Sequence, residues 1–264
     1  MSVNLSFEKT YPIETFQSEK SYLGPLPNKR EWGSCYLNTA VKMLALNPFL
    51  DRFLESISDR YHAMKSESKE LFRLLQKEQA VSEQQYLQFA KQLEKEGFYL
   101  GFEPPEVERK EGRSFCDVLA FFEEMNSETF PFAPTLFSFS NQEPLSLQNA
   151  KVELPETWSS EKQLLLLIDR TVRDPKTEDE AEYNDNYIEN IETISIEGIQ
   201  FELKAVVLSF CGHSFLMEKT SHKDVCWIEH NDEYVGPYRE GSPNCFSSHE
   251  MVGRYAVGLI YDKI

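Results

Sequence analysis

Apolar residues recur at helical spacing in the first half of the chain and crowd into strand-like runs in the second. After Cys35, Leu37, Val41 and Leu44 return once per turn with Tyr36 and Ala40 beside them, which predicts a helix opening at Cys35. Asn47-Pro48 should end it, because the residue before a proline avoids the helical region. Further helices are expected around 49–57 and 66–79. Another should run from Ser82, whose spacing to Gln85 fits a capping box, to a stop at Gly97. Ser114 is placed to cap one more, with Asp117 in its first turn and Phe115, Val118, Leu119 and Phe122 forming the buried stripe. From about residue 131 the pattern changes. KVELPETW, QLLLLIDRT, ISIEGIQFELKAVVLSF, HSFLMEK, KDVCWIEH and YAVGLIY are rich in β-branched and aromatic residues and predict strands.

Helices first and sheet second define an α+β arrangement. The chain has 264 residues, enough for one large domain with a well-buried core, and residues 1–30 read as extended, broken by Pro12, Gly24, Pro25 and Pro27. No run of about eighteen apolar residues predicts a membrane span. The N-terminus lacks the basic start and apolar core of a secretory signal, so a cytoplasmic location is expected. The five cysteines, at 35, 116, 211, 226 and 245, form no CxxC pair, which predicts reduced thiols and no structural zinc. A net charge of −17 argues against nucleic acid as a partner and favours basic partners, by steering their encounter. Within 174–192, Asp174, Glu178, Asp179, Glu180, Glu182, Asp185, Glu189 and Glu192 face a single lysine. That run reads either as a solvated loop or as an acidic lip for a basic partner.

The candidate chemistry lies at opposite ends of the chain. Gly212-His213 sits in a strand-like run, and Asn231-Asp232 follows one hairpin later. A cysteine hydrolase needs a thiolate, and two things favour one: the positive end of a helix dipole and a neighbouring imidazole. Cys35 is placed for the first at the start of its helix, and His213 is a candidate for the second. Asn231 or Asp232 would then hold the far ring nitrogen and fix the histidine's tautomer.

The surrounding residues extend this pattern. GSCYLNTAVKMLALNPFLDRFL resembles the cysteine box of the ubiquitin-specific proteases, and FELKAVVLSFCGHSFLMEK followed by WIEHNDEYV resembles their histidine box. CDVLAFFEEM, QLLLLIDRT and YAVGLIY resemble an internal helix and two strands of the same family, in the family's order, so the likeness spans roughly residues 28–262. The resemblance implies a papain-like cysteine protease fold with a helical thumb, a β-sheet palm and reduced fingers. It implies one catalytic domain over 1–264, with the thumb at 28–128, rudimentary fingers without zinc ligands at 129–154 and the palm at 155–264. By position, Cys35 matches the nucleophile, His213 the general base and acid, and Asn231 the residue that orients the histidine. Asp232 matches the second member of the acidic pair, Asp117 the aspartate that meets ubiquitin's basic tail, and Gly212 a position that lets the tail pass.

Three departures stand out. Arg30 occupies the place of the family's oxyanion asparagine, and the nearest asparagine is Asn28. Ser214 replaces an aromatic residue after the histidine, and His230 replaces another before Asn231, where it is expected to pack. In the short fingers segment, Phe130, Phe132, Phe137 and Phe139 are expected to pack its hairpin. The function implied is a monomeric thiol deubiquitinase that acts on ubiquitin and ubiquitinated proteins, without cofactor or metal. The alternatives are a protease for a ubiquitin-like modifier and a catalytically silent ubiquitin-binding adaptor. The compact size also fits an effector from an intracellular bacterium or a virus, secreted into a host cell to act on host ubiquitin.

Overall fold

The helix predicted at Cys35 forms as α1 (Cys35–Ala45), and every residue from Tyr36 to Ala45 is buried. A helix buried all round belongs in the middle of a molecule. The other helices are α2 (Leu50–Ser56), α3 (His62–Gln76), α4 (Glu83–Lys95) and α5 (Phe115–Met125). Of these, α3 and α5 pack against α1, which also packs against two strands of the sheet, His213–Lys219 and Trp227–Asn231. The computed structural model describes residues 23–28, 34–47, 50–98, 100, 115–125, 134–138, 145–146, 151–152, 162–173, 181–183, 186–210, 212–220, 227–238 and 247–264. Ser82 caps α4 through a reciprocal box with Gln85, and Gly97 follows at φ +100° as the stop. Phe53 and Phe89 both pack against Phe122, which joins α2 and α4 to α5.

The second half builds a nine-stranded sheet. Its strands are β1 (Pro134–Ser138), β3 (Lys151–Val152), β4 (Gln163–Asp169), β8 (Thr193–Ile196), β9 (Ile199–Phe210), β10 (His213–Lys219), β11 (Trp227–Asn231), β12 (Tyr234–Pro237) and β13 (Ala256–Lys263). The order is β12-β11-β10-β9-β13-β4-β1-β3, with β8 folded back on β9. Pairing is antiparallel except between β1 and β4. Thus the segment 129–154 contributes two strands to the far edge of the large sheet. Two small ladders, β2 (Leu145–Ser146) with β7 (Ile188–Glu189) and β5 (Thr171–Arg173) with β6 (Ala181–Tyr183), lie outside it.

Both faces of the large sheet are covered, which explains the unbroken apolar run of β4. Leu165, Ala205, Val207, Leu216 and Ile260 join the helical core on one side. Leu164, Leu166, Val206, Leu208 and Met217 join a second core on the other, beneath α6 (Ser248–Tyr255). In β9, Leu203 shares the face of Val206 because the pairing with β13 slips by one residue between Ala205 and Leu203. The α6 helix was not anticipated in the strand-rich half. Its signal was present in Ser247 and Glu250, since the serine hydroxyl accepts from the Glu250 N–H at 3.1 Å. Buried Arg170 donates to the carbonyls of Ala256 (2.7 Å), Gly253 (2.8 Å) and Asn186 (2.9 Å), fixing α6 and β13 to the end of β4.

Several expectations fall outside the described residues: Ser114 as a cap, Arg30, Phe130, Phe132, Phe139, Cys211, Cys226 and Cys245, and much of the acidic run at 174–185. The side chain of Phe137 is among these, although its backbone lies in β1. Among the described residues no helix is long and apolar enough to cross a membrane, and no cluster of His, Cys, Asp or Glu could hold a metal ion.

Candidate active site

Topology joins the two ends of the chain. The β9–β10 hairpin turns through Gly212 at φ +74°, a left-handed conformation that favours glycine, and pairs His213 with Phe210. Next to β10 lies β11, with Leu216 opposite His230. Continuing that register sets Asn231 across from Phe215, one diagonal step from His213 on the same face of the sheet. The N-terminal end of α1 packs against this edge, so Cys35 meets His213.

The three polar groups form a chain. His213 Nε2 lies 2.7 Å from Asn231 Oδ1, which leaves Nδ1 as the ring nitrogen for the hydrogen bond with Cys35. The Cys35 hydrogen bond, reinforced by the one to Asn231, raises the imidazole to about 9 against the opposing effect of burial. Burial pushes the Cys35 thiol up, but it is outweighed by the bond to His213, a backbone hydrogen bond from Ser214 and the imidazolium charge. The thiol is therefore lowered overall. The arrangement favours a thiolate–imidazolium pair at the positive end of a helix.

Asp232 is brought to the same place but plays a different part. It begins the two-residue turn between β11 and β12, at φ +49°, and is 5% exposed. Its Oδ1 accepts from Asn38 Nδ2 at 2.6 Å, and its Oδ2 makes no hydrogen bond, so the carboxylate acts on His213 through charge alone. Its backbone carbonyl accepts from Lys42 Nζ (2.7 Å) and from the Leu26 N–H (3.1 Å). Asn38 Nδ2 also donates to the Pro27 carbonyl at 3.0 Å, and the Asn28 N–H to Glu233 Oε1 at 3.3 Å. Residues 26–28, α1 and the turn after Asn231 are thereby stitched together beneath the thiol.

Sequence reasoning overlooked two members of this layer. Lys42 is fully buried on α1, and burial lowers its amine to about 7 although Asp232 and Glu229 pull it back up. The signal was a lysine inside the apolar run AVKML. Glu229 Oε1 accepts from Asn231 Nδ2 at 2.9 Å, and its signal was the two-residue spacing that puts both on one face of a strand. His230, on the opposite face, is 1% exposed and donates to Glu218 Oε2 at 3.2 Å. Burial lowers its ring against the pull of Glu218, while Lys204 lies 3.0 Å from the other oxygen of Glu218. Asp117 is exposed in the first turn of α5.

No family model matches the sequence, and no curated protein matches it. Solved structures do match its fold. The Ubp8-Sgf11-Sgf73-Sus1 SAGA DUB module aligns at 13% identity and a TM-score of 0.59, covering 92% of this chain and 68% of that one. A SAGA DUB module with Ubp8 bound to monoubiquitin aligns at 12% and 0.59, covering 92% and 69%. An essential yeast splicing factor aligns at 12% and 0.58, covering 92% and 70%. The chain therefore has an α+β, papain-like fold, the fold of USP-type deubiquitinases. A splicing factor shares that fold, so the fold does not assign the activity, and any functional argument has to come from the site.

Proposed function

We propose that this protein is a thiol-dependent deubiquitinase that hydrolyses isopeptide bonds at the C-terminal glycine of ubiquitin. The observation that carries the reading is the hydrogen-bonded series from Cys35 through His213 to Asn231, with the thiol lowered and the imidazole raised to about 9. Supporting it, one structure of similar fold is a complex with monoubiquitin.

In this reading the Cys35 thiolate attacks the glycine carbonyl, and the Cys35 backbone N–H at the start of α1 donates to the resulting oxyanion. The second donor is Asn28, Arg30 or another group. His213 then protonates the departing lysine amine, leaving a thioester between Cys35 and ubiquitin. Water attacks next; His213 takes its proton, and the thioester breaks to release carboxylate and thiol. Asn231 keeps the imidazole in the working tautomer, and the Asp232 charge steadies the imidazolium. Asp117 pairs with the basic tail, and Gly212 leaves room for it. The chemistry requires no cofactor.

A ubiquitin derivative ending in a thiol-reactive electrophile tests this. Covalent labelling that disappears in Cys35→Ala is the expected result. Labelling only by the equivalent derivative of a ubiquitin-like modifier would move the substrate assignment to that modifier. Reversible ubiquitin binding without labelling would make the protein an adaptor.

A further inference from the structure

Asn231 makes two hydrogen bonds with opposite ends of one amide. Its Oδ1 faces His213 Nε2 at 2.7 Å, while its Nδ2 donates to Glu229 Oε1 at 2.9 Å. The two ends of an amide have nearly the same shape, so packing alone does not choose between them. A flipped amide would point its NH2 at a protonated imidazole, donor against donor, and the histidine would lose its acceptor. An ionised carboxylate only accepts, so beside Glu229 just one orientation of Asn231 makes both bonds.

We propose that Glu229 is a positioning residue that locks the Asn231 amide with its oxygen toward His213, extending the series Cys35–His213–Asn231 by one member. Alternation along β11 places Glu229 and Asn231 on one face, and their pairing partners Gly236 and Tyr234 hold the strand in register. The Lys42 amine, buried on α1, lies near enough for the Glu229 charge to act on it. The other charged or titrating groups nearby are Asp232 in the turn, His213 on β10 and Cys35 on α1. The same geometry accounts for an amide at position 231. An aspartate there would face Glu229 carboxylate to carboxylate, a like-charge contact in place of the hydrogen bond.

This inference rests on the thiol-hydrolase reading, but its test does not need the natural substrate. Cys35 alkylation by iodoacetamide is followed against pH in the full chain, alongside kcat and KM on a ubiquitin C-terminal substrate. E229A should lower kcat by roughly tenfold to a hundredfold with KM nearly unchanged, and move the alkaline limb near pH 9 downward. E229Q, which keeps an acceptor that can itself flip, should fall between. The deciding comparison is N231D made alone and with E229Q. Alone it should be strongly impaired; in the pair the new amide donates to the new carboxylate, and reactivity should recover at least tenfold. Effects that simply multiply, or an E229A defect confined to melting temperature or KM, would overturn the relay. An inert ubiquitin substrate with the alkylation pattern intact would reject the deubiquitinase reading while leaving the relay standing.

Discussion

Cys35 and His213 set the pH behaviour at the residue scale. With the thiol lowered and the imidazole raised to about 9, the reactive ion pair exists between the two titrations. Activity should therefore be bell-shaped, with an alkaline limb near pH 9 where the imidazolium loses the proton owed to the leaving amine. The pH dependence of kcat/KM checks this, and in Asn231→Ala that limb should move toward the ordinary histidine value. Lys42 makes the opposite kind of prediction, on stability. Its folded value, about 7, lies below the ordinary 10.5, so the unfolded chain binds more protons between those limits. Stability should rise with pH there, by at most about 1.4 kcal/mol per unit. Lys42→Met should flatten that rise in pH-dependent urea unfolding. It should also lower activity, because the Asp232 carbonyl loses a donor. How far these residues were legible differs. Cys35 and His213 stand out by residue type, with Asn231 or Asp232 as the third candidate, and the family resemblance is what favoured Asn231. Lys42 and Glu229 are ordinary residues whose meaning comes from what touches them.

Single elements depend on their ends. The Ser82–Gln85 box closes the start of α4, so Ser82→Ala should reduce stability by about 1 kcal/mol in denaturant melts while leaving the site intact. Gly212 is different, because its turn presents the histidine. A Cβ would have open space there, but the backbone sits at φ +74°. Gly212→Val should therefore strain the hairpin by about 1–2 kcal/mol and cut the rate of labelling by a ubiquitin electrophile. Periodicity revealed α1, α3, α4 and α5 and the strands β4, β9, β10 and β13. It did not reveal α6, whose eight residues carry too little repeat to stand out from the strands around them. Nor did it separate the parallel partner β1 from a fingers hairpin, since pairing between distant strands leaves no mark on either alone.

For the whole molecule, charge and topology act together. A net charge of −17 should accelerate encounter with a basic partner, so kcat/KM for a ubiquitin substrate should fall as salt rises from about 50 to 300 mM while kcat changes little. A rate insensitive to salt would remove steering from the account.

Side-chain periodicity is a local property, so the helical first half and the β second half were legible along the chain. The sequence also offered Cys35 and His213, with Asn231 or Asp232, as candidates, and the family resemblance is what suggested a role for each. How those residues are held depends on contacts between distant elements. Asn38 and Lys42 reach Asp232 across 194 and 190 positions of chain, and the carboxylate expected beside the imidazole makes its hydrogen bond with Asn38. The amide of Asn231 gains its direction from Glu229. Hydrogen bonds of this kind depend on where the folded sheet edge meets the buried helix, and no spacing along the chain encodes that distance.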